Sequence, residues 1–366
     1  MTTIMDVAAA AGVSASTVSY VLSGKRTISP ATRSRVERAI EQLGYRPHAG
    51  ARALASNRTN VLGLVVPLRE DVNVNVMMQF VRSVTTTARR HDLDVLLLTQ
   101  EEDAGLHRVS NGSVVDGLVV MDITADDPRV GVLTSLDRPT VLIGVPRDPR
   151  GLSCVDFDFA GAARAAVGHL TGLGHRRIAV LASPARSLDR HAGYAERLRD
   201  GFQEAVLAAG ARGVHVPCEA GSDGVRGALE AVRERQPGTT ALVVHNEAAL
   251  PALLAVLTEE GLDVPGDVSV VTIAASAGGH LPRALTSLDI PALDVGRIAV
   301  EMLVARIGGD RTCETRLLAA VLADAGSTAA PGAGVRAPPP PRPRAGPAEC
   351  LSPAAARGAT PLIPHN

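Results

Sequence analysis

Residues 6–24 read DVAAAAGVSASTVSYVLSG, two short segments with helical apolar spacing on either side of Gly12. The first segment is predicted to be a helix, because Thr3 can cap it and Asp6 follows at the capping-box position. The spacing predicts a buried face made of Ile4, Val7, Ala8 and Ala11. Gly12 then permits the turn that separates the two helices.

The second helix carries many hydroxyl groups for so short a segment, and Ser14 is predicted to cap it. The side chains predicted to be buried are Val18, Val21 and Leu22. The side chains predicted to face outwards are Ala15, Ser16, Ser19 and Tyr20. Hydroxyl groups on such a face can donate hydrogen bonds to phosphates or base edges, and small side chains allow close approach.

A third helix is predicted to begin at Ser29-Pro30, an N-cap followed by proline at the first helical position, and to end at Gly44. Its predicted buried side chains are Val36, Ile40 and Leu43. Together the three helices predict a helix-turn-helix, whose second helix lies in the DNA major groove. A three-helix packing module without a nucleic-acid partner is the alternative interpretation of these helices alone.

The charge distribution favours the DNA-binding interpretation. Residues 1–60 carry eight basic and three acidic side chains, a net charge of +5, whereas the rest of the chain carries −6. A basic segment attached to an acidic body indicates an anionic partner for that segment. A merely solvated basic surface is the alternative.

Residues 2–67 closely resemble, almost without gaps, the N-terminus of lactose-repressor (LacI) family transcription regulators. The resemblance rests on Asp6-Val7-Ala8, Ala11 to Ser14, Thr17-Val18-Ser19, Ser29 to Arg33 and Leu43-Gly44-Tyr45. It implies a homodimer whose two headpieces, residues 1–47, read a pseudo-palindromic double-stranded operator. The headpiece residues then expected to contact DNA are Thr3, Ser14, Ala15, Ser16, Thr17, Ser19, Tyr20, Ser29 and Arg33.

The resemblance also implies that residues 48–60 form a hinge helix that is ordered only on DNA. Leu54 occupies the position that enters the minor groove at the operator centre, where opening a base step costs a few kcal/mol. A linker leucine that packs on the core is the alternative for Leu54. Two departures affect base preference: Tyr20 stands where the family often has arginine, and His48 stands where it commonly has asparagine.

The remainder of the chain predicts an α/β core, residues 61–328, with short apolar strands alternating with helices. The predicted buried parallel strands are VLGLVV (61–66), DVLLLT (94–99), DGLVVM (116–121), PTVLIG (139–144), RIAVLA (177–182), TALVVH (240–245) and VSVVTIA (268–274). The predicted crossover helices are 161–173, 197–210 and 248–261. This pattern predicts two doubly wound lobes, about 61–160 and 161–325, separated by a cleft.

The core resembles the periplasmic-binding-protein-like core of the same family, at HLTGLGHRRIAVL (169–181), EEGLDVPGDVSVV (259–271) and LTSLDIPALDVGRIA (285–299). The resemblance implies that the last of these segments returns a helix to the first lobe. It also implies a small-molecule effector in the cleft that modulates operator affinity. The candidate effector contacts are Phe80, Asp156, Asp158, Tyr194, Arg197 and Asn246.

Structural roles are the alternatives for these candidates: Asp156 and Asp158 could cap the helix near Ala160, and Arg197 could lie on a solvated helix face. The family often ends one strand with Gly-Phe-Asp-Asp, whereas residues 272–275 are Thr-Ile-Ala-Ala. Only 2% of the residues are aromatic and tryptophan is absent. These departures suggest that the cleft binds something other than a typical family sugar, or binds nothing.

Residues 329–366 hold ten of the 24 prolines and four arginines, a composition that predicts a disordered tail. No cofactor or metal site is expected, because the four cysteines are far apart and no nucleotide-binding or catalytic motif occurs. No signal peptide or membrane span is evident, which predicts a cytoplasmic protein. The predicted function is a repressor, not an enzyme; a regulator without an effector and a solute-binding protein are the alternatives.

Overall fold

The computed structural model describes residues 2–23, 26–45, 58–66, 69, 73–99, 105–106, 114–275 and 281–332. Leu54, most of the predicted hinge and most of the predicted tail therefore lie outside the described residues. The helices are α1 (Ile4–Ala11), α2 (Ala15–Ser23), α3 (Pro30–Leu43), α4 (Val74–Arg90), α5 (Arg129–Ser135), α6 (Phe159–Gly172), α7 (Ala185–Asp189), α8 (Gly193–Ala208), α9 (Gly221–Arg235), α10 (Leu250–Glu259) and α11 (Ala292–Ile307). A short 3₁₀ helix, Glu247–Ala249, precedes α10.

The headpiece helices begin and end at the residues that the sequence predicts. Thr3 Oγ1 accepts a hydrogen bond from the Asp6 N–H at 3.3 Å, and the Asp6 carboxylate accepts one from the Thr3 N–H at 2.8 Å. This capping box begins α1, and Gly12, with a φ of 64°, ends it in the left-handed conformation. Ser29 caps α3, which ends at Gly44 in the same conformation.

The three helices enclose a small core in which Val7, Val18 and Val36 have no exposed surface. The predicted burial of Leu22 and Leu43 is wrong, since each is 38% exposed. Tyr45 joins the core instead, because its N–H donates to the Ile40 carbonyl at 3.0 Å and brings the chain back over α3. The other members of this core are Ala8, Ala11, Val21 and Ala39.

The remaining described chain forms two six-stranded sheets. Its strands are β1 (Val61–Val65), β2 (Asp94–Leu98), β3 (Gly117–Val120), β4 (Thr140–Ile143), β5 (Ser153–Phe157), β6 (Arg177–Ala182), β7 (Arg212–Pro217), β8 (Ala241–Val244), β9 (Ser269–Ala274), β10 (Thr286–Asp289), β11 (Thr315–Leu318) and β12 (Leu322–Ala323). The strand orders are β11-β5-β4-β3-β1-β2 and β12-β10-β9-β8-β6-β7. All neighbours are parallel except β10 and β12, which confirms the predicted doubly wound fold class.

All seven predicted strands occur, as β1 to β4, β6, β8 and β9. The predicted burial of β2 is wrong: Leu96 and Leu97 are 36% and 45% exposed, because β2 lies at the edge of its sheet. The three predicted crossover helices occur as α6, α8 and the 3₁₀ helix with α10. The sequence did not indicate β5, β7 or β10 to β12.

The chain passes between the two sheets three times, after β5, after β10 and after β11. After the second passage, α11 packs against α4 and the first sheet. Gly296 allows the two helices to approach closely, because a Cβ there would lie 2.6 Å from Ser83 Cβ. The first lobe therefore combines residues that are distant in sequence.

The first residues of the predicted tail are bonded to the second lobe. Ala329 donates its N–H to Ser269 Oγ at 3.0 Å, and its carbonyl accepts from His175 Nε2 at 2.8 Å. Burial lowers the pKa of His175, which also contacts Thr240 Oγ1 through Nδ1 at 2.8 Å. Ala329 is thus held at the amino ends of β6 and β9, so the predicted disordered tail does not begin at residue 329.

Among the described helices, none has by itself the length and apolar character that a membrane span requires. Helices α1 and α2 would reach that requirement only together, and they are bent by 101° where they meet.

Candidate DNA-binding surface and ligand cleft

All predicted DNA contacts except Leu54 are among the described residues, and they lie on or beside α2 and at the starts of α1 and α3. The exposed ones are Thr3, Ser14, Ser16, Ser29 and Arg33, whereas Ala15, Thr17, Ser19 and Tyr20 are partly buried. The predicted outward position of Ala15 needs correction, since its side chain packs against the headpiece core. Ala15 is the first residue of α2 and lies next to the turn that joins α1 and α2, so its side chain is close to the headpiece core.

The hydroxyl groups at the start of α2 form one hydrogen-bonded cluster. Ser14 Oγ lies 2.8 Å from both Ser16 Oγ and Thr17 Oγ1, and it accepts a hydrogen bond from the Thr17 N–H at 3.2 Å. The cluster fixes the side chains at the end of α2 that would enter a groove. Thr3 and Ser29 act first as caps, because their hydroxyl oxygens accept hydrogen bonds from the Asp6 and Thr32 N–H groups, each at 3.3 Å.

Tyr20 and Arg26 extend this surface. The Arg26 guanidinium carbon lies 5.8 Å from the centre of the Tyr20 ring, within the range of a cation–π contact. Arg26, Arg33, Arg35 and Arg38 are all exposed. The described headpiece therefore presents a polar helix face flanked by arginines, an arrangement suited to contacts with base edges and phosphates.

A cavity of about 320 Å³ lies at the carboxyl ends of strands from both sheets, the usual place for ligands in α/β folds. Its aromatic lining consists of Phe80, Phe159, Tyr194 and the imidazole of His245. Its polar lining consists of Asn73, Asp122, Asp156, Ser183, Arg190, Glu219, Asn246 and Glu247. Aliphatic side chains such as Val66, Met121 and Ile290 complete it.

Four of the six candidate effector contacts line this cavity: Phe80, Asp156, Tyr194 and Asn246. Arg197 is not among the described lining residues, but its guanidinium contacts the Asp156 carboxylate. Asp158 is not among the described lining residues, and its carboxylate accepts the Gly161 N–H at 2.8 Å and caps α6. Asp158 is thus a helix cap, which was the alternative role stated for it. Arg197 does not lie on a solvated helix face, because its guanidinium contacts Asp156.

The aromatic side chains form a connected group at one wall of the cavity. The Phe159 ring centre lies 5.6 Å from that of Tyr194 and 5.5 Å from that of His245, and the latter two are 5.7 Å apart. Arg197 lies 5.6 Å from the Phe159 ring on its other side. Burial lowers the pKa of His245, whose Nδ1 donates to the Ile273 carbonyl at 3.0 Å. The imidazole is therefore neutral at physiological pH.

Asp156 and Arg197 form a buried pair beneath this wall. The Asp156 carboxylate also accepts the Phe157 N–H at 2.8 Å, and Arg197 Nε donates to the Gly193 carbonyl at 3.2 Å. Burial raises the pKa of the Asp156 carboxyl, and the contact with Arg197 opposes that rise. The pair orients the carboxylate toward the cavity and holds α8 against the end of β5.

The sequence did not indicate Asp122, Arg190, Phe159, Glu219, His245 or Glu247 as lining residues. Arg190 Nη1 donates to the Asp122 carboxylate at 2.8 Å, a contact between residues 68 positions apart. Glu247 accepts the Ala275 N–H at 3.0 Å and so covers the strand end where the family acid is missing. A usable signal existed, since Asp122, Glu219 and His245 each follow closely after a strand.

No group of three or more His, Cys, Asp or Glu side chains in the described part of the chain could hold a metal ion.

Two family models match the chain. Residues 3–48 match bacterial regulatory proteins of the lacI family, and residues 167–328 match a periplasmic binding protein-like domain. The transcriptional regulator CelR of Thermobifida fusca is 34% identical, with 86% of this chain and 95% of CelR covered. Catabolite control protein A of Priestia megaterium is 29% identical, with 82% and 91% covered.

Solved structures of such proteins share the fold. A complex of the regulator CelR with cellobiose is 30% identical, covers 89% of this chain and all of that chain, and has a TM-score of 0.62. The lac repressor dimer bound to operator and the anti-inducer ONPF is 22% identical, covers 90% and 99%, and has a TM-score of 0.75. The second of these likenesses supports the fold alone.

Proposed function

The chain belongs to the LacI family of bacterial regulatory proteins, and from this membership we propose that it is a homodimeric repressor controlled by a sugar-like effector. It is a DNA-binding transcriptional regulator, like its relatives. In this proposal residues 1–47 read a pseudo-palindromic operator, residues 48–60 form the hinge, residues 61–328 bind effector and dimerise, and residues 329–366 are a tail. A repressor acts on the chromosome, so we place the protein in the cytoplasm.

The hydroxyl-rich start of α2 supports the operator-reading role. Ser16 and Arg33 are exposed, and Ser14 orders its neighbours through hydrogen bonds of 2.8 Å. Helix-turn-helix proteins place this part of the second helix at base edges, whereas basic side chains around it contact phosphates. Leu54, outside the described residues, is proposed to enter the minor groove between the two headpieces.

Exposed apolar side chains support the homodimer. Leu96 and Leu97 lie on the edge strand β2, and Val74 and Met78 are exposed on α4, which packs beside β2. Edge strands with exposed apolar side chains are usually covered by a partner. Two copies are also what two operator half-sites require.

The composition of the cleft supports a sugar-like effector, although aromatic residues are scarce in the chain as a whole. The chain has four phenylalanines and three tyrosines, and three of these seven side chains, Phe80, Phe159 and Tyr194, line the cavity. Aromatic rings offer apolar faces to a sugar, and carboxylates and amides such as Asp156 and Asn246 accept and donate hydrogen bonds to hydroxyls. This concentration of aromatic rings is the single observation on which the effector proposal rests.

The effector proposal is tested by calorimetric titration of the full-length protein with cellobiose and other neutral mono- and disaccharides. At least one is expected to bind and to change operator affinity about 5- to 150-fold, the range of typical allosteric couplings. The change is measured by operator titration with and without the sugar. Binding that leaves operator affinity unchanged, or no binding by any sugar, would count against the effector proposal.

Base reading by Tyr20 is tested by Tyr20→Ala, with Arg33→Ala as the matched change. Tyr20→Ala is expected to relax base preference at one position of each half-site by about 1–3 kcal/mol, because a base contact is lost. Arg33→Ala is expected to weaken binding to all sequences alike and to lower the salt slope by about 1, because a phosphate contact is lost. Selection of bound duplexes from a random pool measures both; an unchanged preference in Tyr20→Ala removes it from the base-reading set.

A further inference from the structure

We propose that the cleft selects uncharged sugars and rejects phosphorylated or otherwise anionic ones, an inference that rests on the proposed sugar-binding role. The basis is the way in which cationic and anionic groups around the cavity are already paired with each other. An anionic ligand needs a cation or a set of free N–H donors to replace its hydration. Among the described residues, the guanidiniums nearest this cavity contact the protein's own carboxylates, and several of the helix starts around it are capped by carboxylates or amides.

The arginines at or beside the cavity form ion pairs with carboxylates. Arg190, which lines the cavity, donates to Asp122 at 2.8 Å, and Arg69 contacts the same carboxylate oxygen. Arg197 contacts Asp156 as well. Its Nη1 is buried without a hydrogen-bond partner, but Arg197 is not among the described lining residues. A phosphate that approached these guanidiniums would have to displace a carboxylate that is fixed to the protein.

Two further carboxylates, Glu219 and Glu247, line the cavity on the second lobe. Glu219 accepts the Ala185 N–H at 3.2 Å, and Glu247 accepts the Ala275 N–H at 3.0 Å. The described lining residues therefore include four carboxylates and one guanidinium, that of Arg190, whereas Arg69 and Arg197 contact two of these carboxylates without lining the cavity. The balance of charge is negative, which repels an anionic ligand at the short distances inside a cavity.

Helix starts are the other common anion sites, because their first N–H groups lack partners within the helix. At this cavity Asn73 caps α4, Asp158 caps α6, Glu219 accepts the first N–H of α7, and Asn246 caps the 3₁₀ helix. The start of α8 after Ala192 has no side-chain cap, but its first N–H, that of Gly193, donates to the Ile123 carbonyl at 3.0 Å. The start of α9 after Ala220 also has no side-chain cap, and Glu219 immediately precedes Ala220. An anion at that start would meet Glu219.

Asp122→Asn is the variant that should weaken this selectivity. The substitution removes a negative charge that contacts both Arg190 and Arg69, so the charge near these guanidiniums becomes more favourable to a phosphate. The backbone is expected to tolerate it, because Asp122 has a φ of 56° and asparagine adopts this conformation as readily as aspartate. Asp126→Asn is the matched control, since Asp126 contacts Arg147 and is not among the described lining residues.

The experiment titrates the full-length protein and both variants with glucose, cellobiose, glucose 6-phosphate and inorganic phosphate. In the unaltered protein each phosphate is expected to bind at least about 100-fold more weakly than the best neutral sugar. Asp122→Asn is expected to bind inorganic phosphate at least about tenfold more tightly than the unaltered protein, and Asp126→Asn is expected to be unchanged.

Two results would overturn the inference: phosphate binding by the unaltered protein as tight as that of the neutral sugar, or no gain in phosphate affinity in Asp122→Asn. The inorganic phosphate titration tests whether the cleft discriminates against anions even if no sugar binds. In that case the effector proposal fails, and a gain confined to Asp122→Asn still supports the charge selection. The two failures are therefore distinguishable.

Discussion

A Val36→Asp substitution is expected to abolish specific operator binding while leaving effector binding intact. Val36 has no exposed surface and packs with Val7 and Val18 between the three headpiece helices. A carboxylate at this position would be buried without a cation or a set of hydrogen-bond donors, which costs several kcal/mol. A core built from so few side chains supplies only about 3–5 kcal/mol of stability, so the headpiece unfolds.

The measurement is operator titration by fluorescence anisotropy, with Gln42→Asp as the control. Gln42 lies on the same helix and is exposed, so this variant adds the same charge without burying it. Val36→Asp should lose at least about 100-fold in operator affinity, whereas Gln42→Asp should remain within about threefold of the unaltered protein. Calorimetry of the same samples should show unchanged effector affinity, because no described residue beyond Tyr45 belongs to the headpiece core. Equal losses in both variants would contradict this explanation.

The headpiece is the part of the molecule that the sequence predicts most completely, because local signals determine it. Thr3 with Asp6, Gly12, and Ser29 with Pro30 act within a few residues, and each begins or ends a helix where expected. The errors, at Ala15, Leu22 and Leu43, concern which of several apolar side chains faces inwards. Which side chains face inwards depends on how the three helices pack against one another, and the spacing of apolar residues along one helix does not determine it.

The sheets show a different limit. The predicted strands are mostly continuous apolar runs in sheet interiors, whereas the missed ones carry polar residues or lie at sheet edges. Strand β5 is buried throughout, yet its sequence SCVDF includes Ser153 and Asp156, so it does not read as an apolar run. Strands β7, β11 and β12 are edge strands with partly exposed side chains, and β10 has the short sequence TSLD.

The cleft is the part least accessible to sequence reasoning, because its groups meet only in three dimensions. Low aromatic content suggested a cleft without a sugar, but the few rings present are concentrated there. The pairing of Asp122 with Arg190 spans 68 residues and both lobes, so no local pattern announces it. The resemblance gave Asp156 and Arg197 as separate candidates and did not indicate that they contact each other, and Asp158 serves as a helix cap.

A Gly201→Ala substitution is expected to destabilise the core, whereas Gly168→Ala is expected to stabilise it. Gly201 lies on α8, and a Cβ there would be 2.6 Å from the Ala160 Cα and 2.7 Å from the Ala160 carbonyl oxygen. Both atoms belong to the backbone of α6, which cannot shift without moving the buried side chains that anchor it, among them Phe159 and Ala162. Overpacking of this kind costs about 1–3 kcal/mol.

Gly168 lies on α6 with open space at its Cβ position, so the same chemical change removes backbone freedom from the unfolded chain without a clash. Alanine in a helix interior is more stable than glycine by about 0.5–1 kcal/mol. Urea unfolding should therefore shift the two variants in opposite directions. Because Phe159 begins α6 and lines the cavity, Gly201→Ala should also weaken effector binding, whereas Gly168→Ala should not. A stabilised Gly201→Ala variant would show that the two helices separate readily. The close packing of α6 against α8 would then not be what positions Phe159 for effector binding.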